Sequence, residues 1–234
     1  MKPSLLASMI GILAACLVLG CTSPPERKEG AYSGYLGDYS KLKDDKTESG
    51  QPIKRYVSPR FTPDRYRAVL LEDVVFYPEP KPSDQVSQQS LNAIRSHMDK
   101  ALQREFSKRF AVVQQPGPGV VRVNVALTAV GSETEGLKPY QYVPIALVIT
   151  SAKAAVSGRP EEAVIHIESK GTDSVTNERL YAAVRGGRGE RLKQEGDKGH
   201  EVTVAELQAL IDKWAEAAAN EAMHYIQPTG QRRW

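Results

Sequence analysis

The sequence has 234 residues, of which 41% are hydrophobic and 25% are charged, and its formal net charge is +3. A charge so close to balance does not indicate the basic surface of a nucleic-acid-binding protein, and we expect no nucleic-acid partner. The length allows one domain of ordinary size together with additional segments.

The N-terminus carries a targeting signal. Lys2 is followed by an apolar run over residues 5–19, which is shorter than the ~20 residues that a membrane-spanning helix needs. A basic start, a short apolar core and a small residue at position 20 predict a secretory signal peptide over residues 1–20.

The end of this signal, Val18-Leu19-Gly20-Cys21, resembles the lipobox of bacterial lipoproteins. The resemblance implies cleavage between Gly20 and Cys21 and acylation of Cys21, including palmitate, so that the lipid bilayer is a partner. Thr22 at the following position implies the outer membrane, with the domain facing the periplasm. The alternative is an ordinary signal peptide with an incidental cysteine. A lipidated Cys21 cannot form a disulfide, so the core has to stabilise the fold alone.

Residues 21–63 are polar and rich in proline and glycine, which predicts a tether. Within it, Tyr32, Tyr35 and Tyr39 recur at helical spacing in a tyrosine-rich segment. This segment is either a short amphipathic stretch that folds back on the domain or a flexible loop, as its two glycines suggest.

The globular domain is expected over residues 64–230. Residues 68–77 predict one strand, or two pieces broken at Glu72 and Asp73. Ser83 or Asp84 then caps a predicted helix of about 26 residues. Its core-facing stripe consists of Leu91, Ile94, Met98, Leu102, Phe106 and Phe110.

In the second half of the sequence, apolar and polar residues alternate as they do along β-strands. Residues 121–129 are apolar on one face and polar on the other, which predicts a strand covered on one side only. Residues 163–169 and 179–184 predict a hairpin, with Ile165, Ile167, Leu180, Ala182 and Val184 facing inward. Residues 186–199 predict a glycine-rich mobile loop, and Thr203 with Glu206 predicts a capping box that begins the last helix. The fold class is therefore α+β: a two-layer sandwich of a mostly antiparallel sheet with two long helices on one face.

Residues 143–149 are the most apolar stretch after the signal peptide. They either pack into the core or form an exposed contact surface for a partner. In the second case the candidate contact residues are Tyr140, Tyr142, Ile145, Leu147 and Val148.

No motif in the sequence indicates catalysis. The four histidines lack the spacing of metal ligands, and no serine lies in a Gly-x-Ser-x-Gly turn. Residues 186–190 are rich in glycine but lack the Gly-Lys-Ser/Thr ending of a phosphate-binding loop. We therefore expect no catalytic residue, no metal and no cofactor.

The lipobox, the run from Ser33 to Leu42 (SGYLGDYSKL) and the residues Tyr66-Arg67-Ala68-Val69 together resemble an uncharacterised family of Gram-negative lipoproteins, domain of unknown function 3313. The resemblance covers nearly the whole chain and implies a place in the envelope, but it brings no established activity. The function we expect is a non-catalytic binding or accessory domain that contacts an envelope protein or self-associates. The alternative is a hydrolase acting on an envelope polymer.

Overall fold

The structure is a computed structural model, and it describes residues 32–83, 85–134, 161–192 and 201–230. Over these residues the chain forms eight strands and two helices. The strands are β1 (Lys43–Lys46), β2 (Pro52–Val57), β3 (Ala68–Leu71), β4 (Val75–Phe76), β5 (Ala111–Val112), β6 (Val120–Thr134), β7 (Glu161–Asp173) and β8 (Arg179–Arg191). The helices are α1 (Gln88–Ser107) and α2 (Val204–Ala222).

All eight strands belong to one sheet, in the order β1-β2-β8-β7-β6-β3-β5, with β4 also paired to β6. The long strands β6, β7 and β8 form an antiparallel meander at its centre, and β2 and β1 extend it antiparallel to β8. Strands β3 and β4 pair parallel to β6, and β5 pairs parallel to β3. A parallel pairing requires a crossover connection, and α1 lies in the crossover between β4 and β5.

Both helices pack on the same face of the sheet. The core between them and the sheet contains apolar side chains from α1, α2, β6 and β7, among them Leu91, Ile94, Met98, Leu127, Ile165, Leu207 and Ile211. Phe106 and Phe110 belong to a second cluster that includes Tyr66 and Leu180. The predicted α+β fold, with two helices on one face of a mostly antiparallel sheet, is confirmed.

The two helices begin at different kinds of signal. The capping box that the sequence predicts for α2 is present. The Thr203 hydroxyl accepts a hydrogen bond from the Ala205 amide, and the Glu206 carboxylate accepts one from the Thr203 amide. For α1 the predicted cap at Ser83 or Asp84 is wrong: Ser87 caps the helix and its hydroxyl accepts from the Ser90 amide at 3.1 Å. Ser83 instead exchanges backbone hydrogen bonds with Val86, in the turn that precedes the helix.

The opposite face of the sheet is covered as well, by residues 32–42, which we call the tyrosine clasp. Leu36 of the clasp is 2% exposed and packs against Ala182 and Val184 of β8. These two side chains therefore face the clasp, although the sequence predicted that they point towards the helices with Leu180. The register shift between β7 and β8 next to Gly171 interrupts the alternation of side chains along β8, so Ala182 and Val184 do not face the same side of the sheet as Leu180.

The predicted tether over residues 21–63 differs from the structure in its described part. The clasp lies on the sheet, and residues 43–57 form the hairpin β1–β2 at its edge. Of the two interpretations of the tyrosine-rich segment, folding back on the domain is the observed one. Few aliphatic residues suffice here because the sheet supplies the apolar partners.

The predicted mobile loop is wrong over residues 186–191, which are part of β8. Glycine is required there because α2 passes so close to the strand. A Cβ at Gly187 would lie 2.4 Å from the Trp214 ring, and one at Gly189 would lie 2.1 Å from the backbone oxygen of Glu206. Glycine in a strand often marks such a close approach.

Candidate functional site

The residues that the sequence singled out lie outside the described part of the chain. This holds for Gly20 and Cys21 and for the candidate contact residues, which are Tyr140, Tyr142, Ile145, Leu147 and Val148. The structure does show where the second group is attached. Thr134 of β6 pairs with Glu161 of β7, so residues 135–160 connect the two strands at this end of the pair.

The same end of the fold holds the beginnings of both helices. The amide of Val202, just before α2, donates to the carbonyl of Gln85, just before α1, at 2.8 Å. Glu201 also reaches the first turn of α1, where its carboxylate accepts from the Ser87 amide and from the Ser90 hydroxyl. The apolar stretch is therefore attached at the end of the domain where these hydrogen bonds join the beginnings of both helices.

The clasp is fixed by a buried carboxylate. Glu168 on β7 is 1% exposed, and alternation along the strand places it on the face opposite the helices. It accepts a hydrogen bond from the Ser33 amide at 2.9 Å and one from the Tyr39 hydroxyl at 2.6 Å. A buried carboxylate needs such partners, since an unpaired one is very costly.

The Tyr39 hydroxyl also organises the clasp itself. It accepts hydrogen bonds from the amides of Gly34, at 2.8 Å, and Leu36, at 3.2 Å. Burial, followed by the hydrogen bond to Glu168, raises the pKa of Tyr39 to about 12. The hydroxyl therefore stays protonated and remains a donor to the carboxylate across the physiological range.

Two cations complete the attachment. The Lys170 ammonium lies 4.5 Å from the centre of the Tyr35 ring, and burial lowers the pKa of Lys170. The Arg179 guanidinium donates to the backbone oxygens of Leu36 and Asp38. The polar groups under the clasp thus hold the N-terminal segment in place.

Sequence reasoning did not find this network. The alternation in residues 121–129 predicted a sheet covered on one side only, whereas the clasp covers the second face as well. The tyrosine spacing in residues 32–39 was the available signal, but it did not say which strand the tyrosines contact. Only the register of β7 in the sheet brings Glu168 beneath them.

The described histidines do not form a site together. His97 bonds Asp212 at 3.0 Å and His224 bonds Glu48 at 3.1 Å, on separate parts of the surface. His166 is buried, and burial lowers its pKa to about 4. Within the described ranges no group of three or more His, Cys, Asp or Glu side chains could hold a metal ion. No helix among these residues is long and apolar enough to cross a membrane.

The described residues on the helix side of the sheet form a groove and a smaller cavity. A groove of about 460 Å³ lies between α1 and the interruption that separates β3 from β4. A smaller apolar cavity of about 80 Å³ lies under the C-terminal half of α2 and is lined by Phe61, Phe106, Tyr181, Ala218 and Tyr225, among others. The groove combines charged and apolar side chains, and it is the feature best suited to a ligand.

The chain has distant likenesses among solved structures. The chain is similar to the PelC dodecamer subunit from Paraburkholderia phytofirmans, with a TM-score of 0.34 and 10% identity over 75% of this chain and 98% of that one. It is also similar to the hypothetical protein CT253 from Chlamydia trachomatis, with a TM-score of 0.42 and 8% identity over 68% of this chain and 98% of that one. Neither likeness carries an argument about function.

Comparison with protein sequences is more informative. The chain is 32% identical to the uncharacterized lipoprotein YdcL of Escherichia coli K12 over 189 residues, which are 81% of this chain and 83% of that protein. The family model described as a protein of unknown function, DUF3313, matches residues 31–218, from the start of the clasp to the second half of α2. The chain therefore belongs to the DUF3313 family.

Proposed function

We propose that this protein is a lipoprotein anchored in the outer membrane through acylated Cys21, with a non-catalytic binding or accessory domain that faces the periplasm. The lipobox at residues 18–21 and the relative that is called a lipoprotein support the anchor. The structural observation that carries the proposal is the clasp: the buried polar groups serve to hold the N-terminal entry of the chain.

The clasp limits how far the domain can stand from its anchor. Cys21 is followed by roughly ten residues before the chain meets the sheet at Tyr32, and a fully extended chain spans at most about 3.5 Å per residue. The clasped end of the domain would then lie within about 40 Å of the bilayer. A domain held this close to the membrane is suited to act on neighbours in or near that membrane.

The proposed contact with such a neighbour is the apolar stretch around Leu147. Tyr140 and Tyr142 are aromatic, and aromatic residues are enriched at interfaces; Ile145, Leu147 and Val148 would add to the apolar core of such an interface. Their attachment point, the Thr134–Glu161 pair, belongs to the longest antiparallel pairing of the sheet. The neighbour is an envelope protein or a second copy of this chain.

The anchor is tested by replacing Cys21 with serine in the full chain and following the protein through envelope fractionation. We expect Cys21→Ser to be uncleaved or to leave the outer-membrane fraction. Cys16→Ser, which changes the other cysteine of the sequence, is the matched control and should fractionate as the unchanged protein does. A Cys21→Ser variant that still sediments with outer membranes after detergent-free washing would disprove the anchor.

The contact is tested by Leu147→Asp, followed by crosslinking in intact envelopes and by thermal melting. At an interface, the aspartate should remove one or more crosslinked species and leave the melting temperature nearly unchanged. In a core, a buried unpaired carboxylate should destabilise the domain severely. A variant that melts normally and keeps every crosslinked species would contradict the proposed contact.

A further inference from the structure

The groove between α1 and the β3–β4 interruption has a specific structural cause. Strand β3 pairs with β6 as far as Leu71 and Val123, and pairing resumes where Val75 of β4 meets Ala126. Between them the chain leaves the strand path at Glu72 and Asp73. The amide of Val74 bonds a side chain of α1 there, because the Asp99 carboxylate accepts it at 2.7 Å.

This arrangement holds a carboxylate over the groove. Asp99 is partly buried, and one of its oxygens, Oδ1, is occupied by the Val74 amide. Burial raises the pKa of the Asp99 carboxyl, the Val74 amide opposes the rise, the nearby charge of Asp73 adds to it, and the positive charge of Arg95 on the same helix opposes it. Among the residues that the structure describes, neither aspartate is in an ion pair. A cation at this point would relieve both the burial and the repulsion.

The floor of the groove is apolar. Leu71, Leu102, Val123 and Val125 line it, and the first three of these remain partly exposed on the helix side of the sheet. A volume of about 460 Å³ lies in the range of small-molecule pockets, which are mostly apolar with a few polar groups that fix orientation. An aliphatic chain that carries a cationic end would match the floor and the carboxylate together.

Positive side chains also line the groove, but they are either paired or exposed, whereas Asp99 is partly buried. Arg104 is already paired, because its guanidinium bonds Glu105 at 2.9 Å and Asp212 at 3.0 Å. Lys100 is exposed, so water and salt screen its charge more strongly than that of the partly buried Asp99. The least screened charge in the groove is therefore the negative one.

We infer that this groove binds a lysine side chain of a partner polypeptide, with the ammonium at Asp99 and Asp73 and the aliphatic stem on Leu71, Leu102 and Val123. Lysine suits the site better than arginine does. A guanidinium favours both oxygens of one carboxylate, and at Asp99 it would have to share Oδ1 with the Val74 amide. The three donors of an ammonium can reach the remaining oxygen of Asp99 and the neighbouring Asp73 separately.

The inference is tested on the full chain in detergent by titration with Nα-acetyl-lysine N-methylamide, using NMR. The readout is the backbone amide signal of Val74, which reports on its bond to Asp99. A single side chain in an open groove should bind with a dissociation constant on the order of a millimolar. The norleucine analogue, which keeps an aliphatic chain without the charge, should bind at least about tenfold more weakly, since a contact with a charged group is typically worth that factor.

Asp99→Asn is the informative variant, because the amide oxygen of asparagine can still accept from Val74 while the charge is lost. We expect it to weaken lysine binding by about tenfold or more, and Asp73→Asn by about threefold, since Asp73 is exposed. Asp44→Asn, the same change on exposed β1, is the control and should bind as before.

Three results would overturn the inference. One is equal binding of the lysine and norleucine probes, which would make the groove merely apolar. Another is unchanged binding by Asp99→Asn with the Val74 amide signal preserved. The third is an equal effect from Mg²⁺ alone or much tighter binding of 1,5-diaminopentane, which would assign the groove to a metal ion or to a small free amine. None of these results depends on the lipid anchor or on Leu147.

Discussion

The Tyr39 hydroxyl donates a 2.6 Å hydrogen bond to Oε2 of Glu168, a residue 129 positions further along the chain. The bond joins the N-terminal clasp to the middle of the sheet. The same hydroxyl accepts from two amides of the clasp, so one oxygen atom links the internal structure of the segment to its attachment.

We predict that Tyr39→Phe destabilises the domain by about 1–3 kcal/mol, because it leaves the buried Glu168 carboxylate with one donor fewer. The free energy of unfolding, measured in denaturant, is the observable. Tyr77→Phe is the matched control, since Tyr77 is 41% exposed and no hydrogen bond of its hydroxyl is seen among the described residues. Equal stabilities of the two variants would contradict the proposed role of the Tyr39 hydroxyl.

We predict that Gly187→Ala costs about 1–3 kcal/mol of stability, because the added methyl would meet the Trp214 ring and force the helix or the ring to shift. Tryptophan fluorescence should change together with the midpoint of unfolding. Gly131→Ala in β6 is the control, since a Cβ there meets no atom within 4 Å. If both variants unfold at the same midpoint, the close packing of α2 on β8 is wrong.

We predict a loss of stability between pH 6.5 and pH 4 that depends on His166. In the native chain burial lowers the pKa of His166 from 6.5 to about 4, so the unfolded chain binds the proton first as the pH falls. Protonation therefore favours the unfolded state in this window, by about 3 kcal/mol in total. The stability contributed by the neutral ring is complete above pH 6.5 and is lost by about pH 4.

The measurement is the free energy of unfolding at several pH values for the unchanged chain and for His166→Leu. Carboxylates titrate in both proteins, so the difference between the two curves isolates the histidine. As the pH falls from 6.5 to 4, the unchanged chain should lose about 3 kcal/mol of stability relative to His166→Leu. Parallel curves would show that His166 is not a buried neutral group.

The sequence predicted those elements whose pattern is local. The stripe of α1 and the capping box of α2 depend on residues three or four apart; the capping box is present, and the stripe is found from Leu91 to Phe106, whereas Phe110 lies beyond the end of the helix. The alternation in residues 121–129 likewise lies within a real strand, β6. Such patterns can be recognised in the sequence because each one depends only on residues within a single helix or strand.

The sequence could not predict features that depend on distant partners. Glycine normally weakens a strand, so Gly187 and Gly189 indicated a loop until the position of α2 explained them. Similarly, nothing near Glu168 in the sequence reveals that the clasp covers it. The groove also depends on non-local contact, since Asp99 and Val74 meet only when α1 lies over the break between β3 and β4.

The position of the hairpin β1–β2 has a consequence for the order in which the fold can be completed. Strand β2 pairs with β8, which lies much later in the chain, and the clasp packs against the same strand. Pairings between such distant residues form slowly, because a long loop has to close first. The strands from β3 to β8 can associate through nearer neighbours in the sequence. The part of the domain that is synthesised first is therefore among the last to reach its native place.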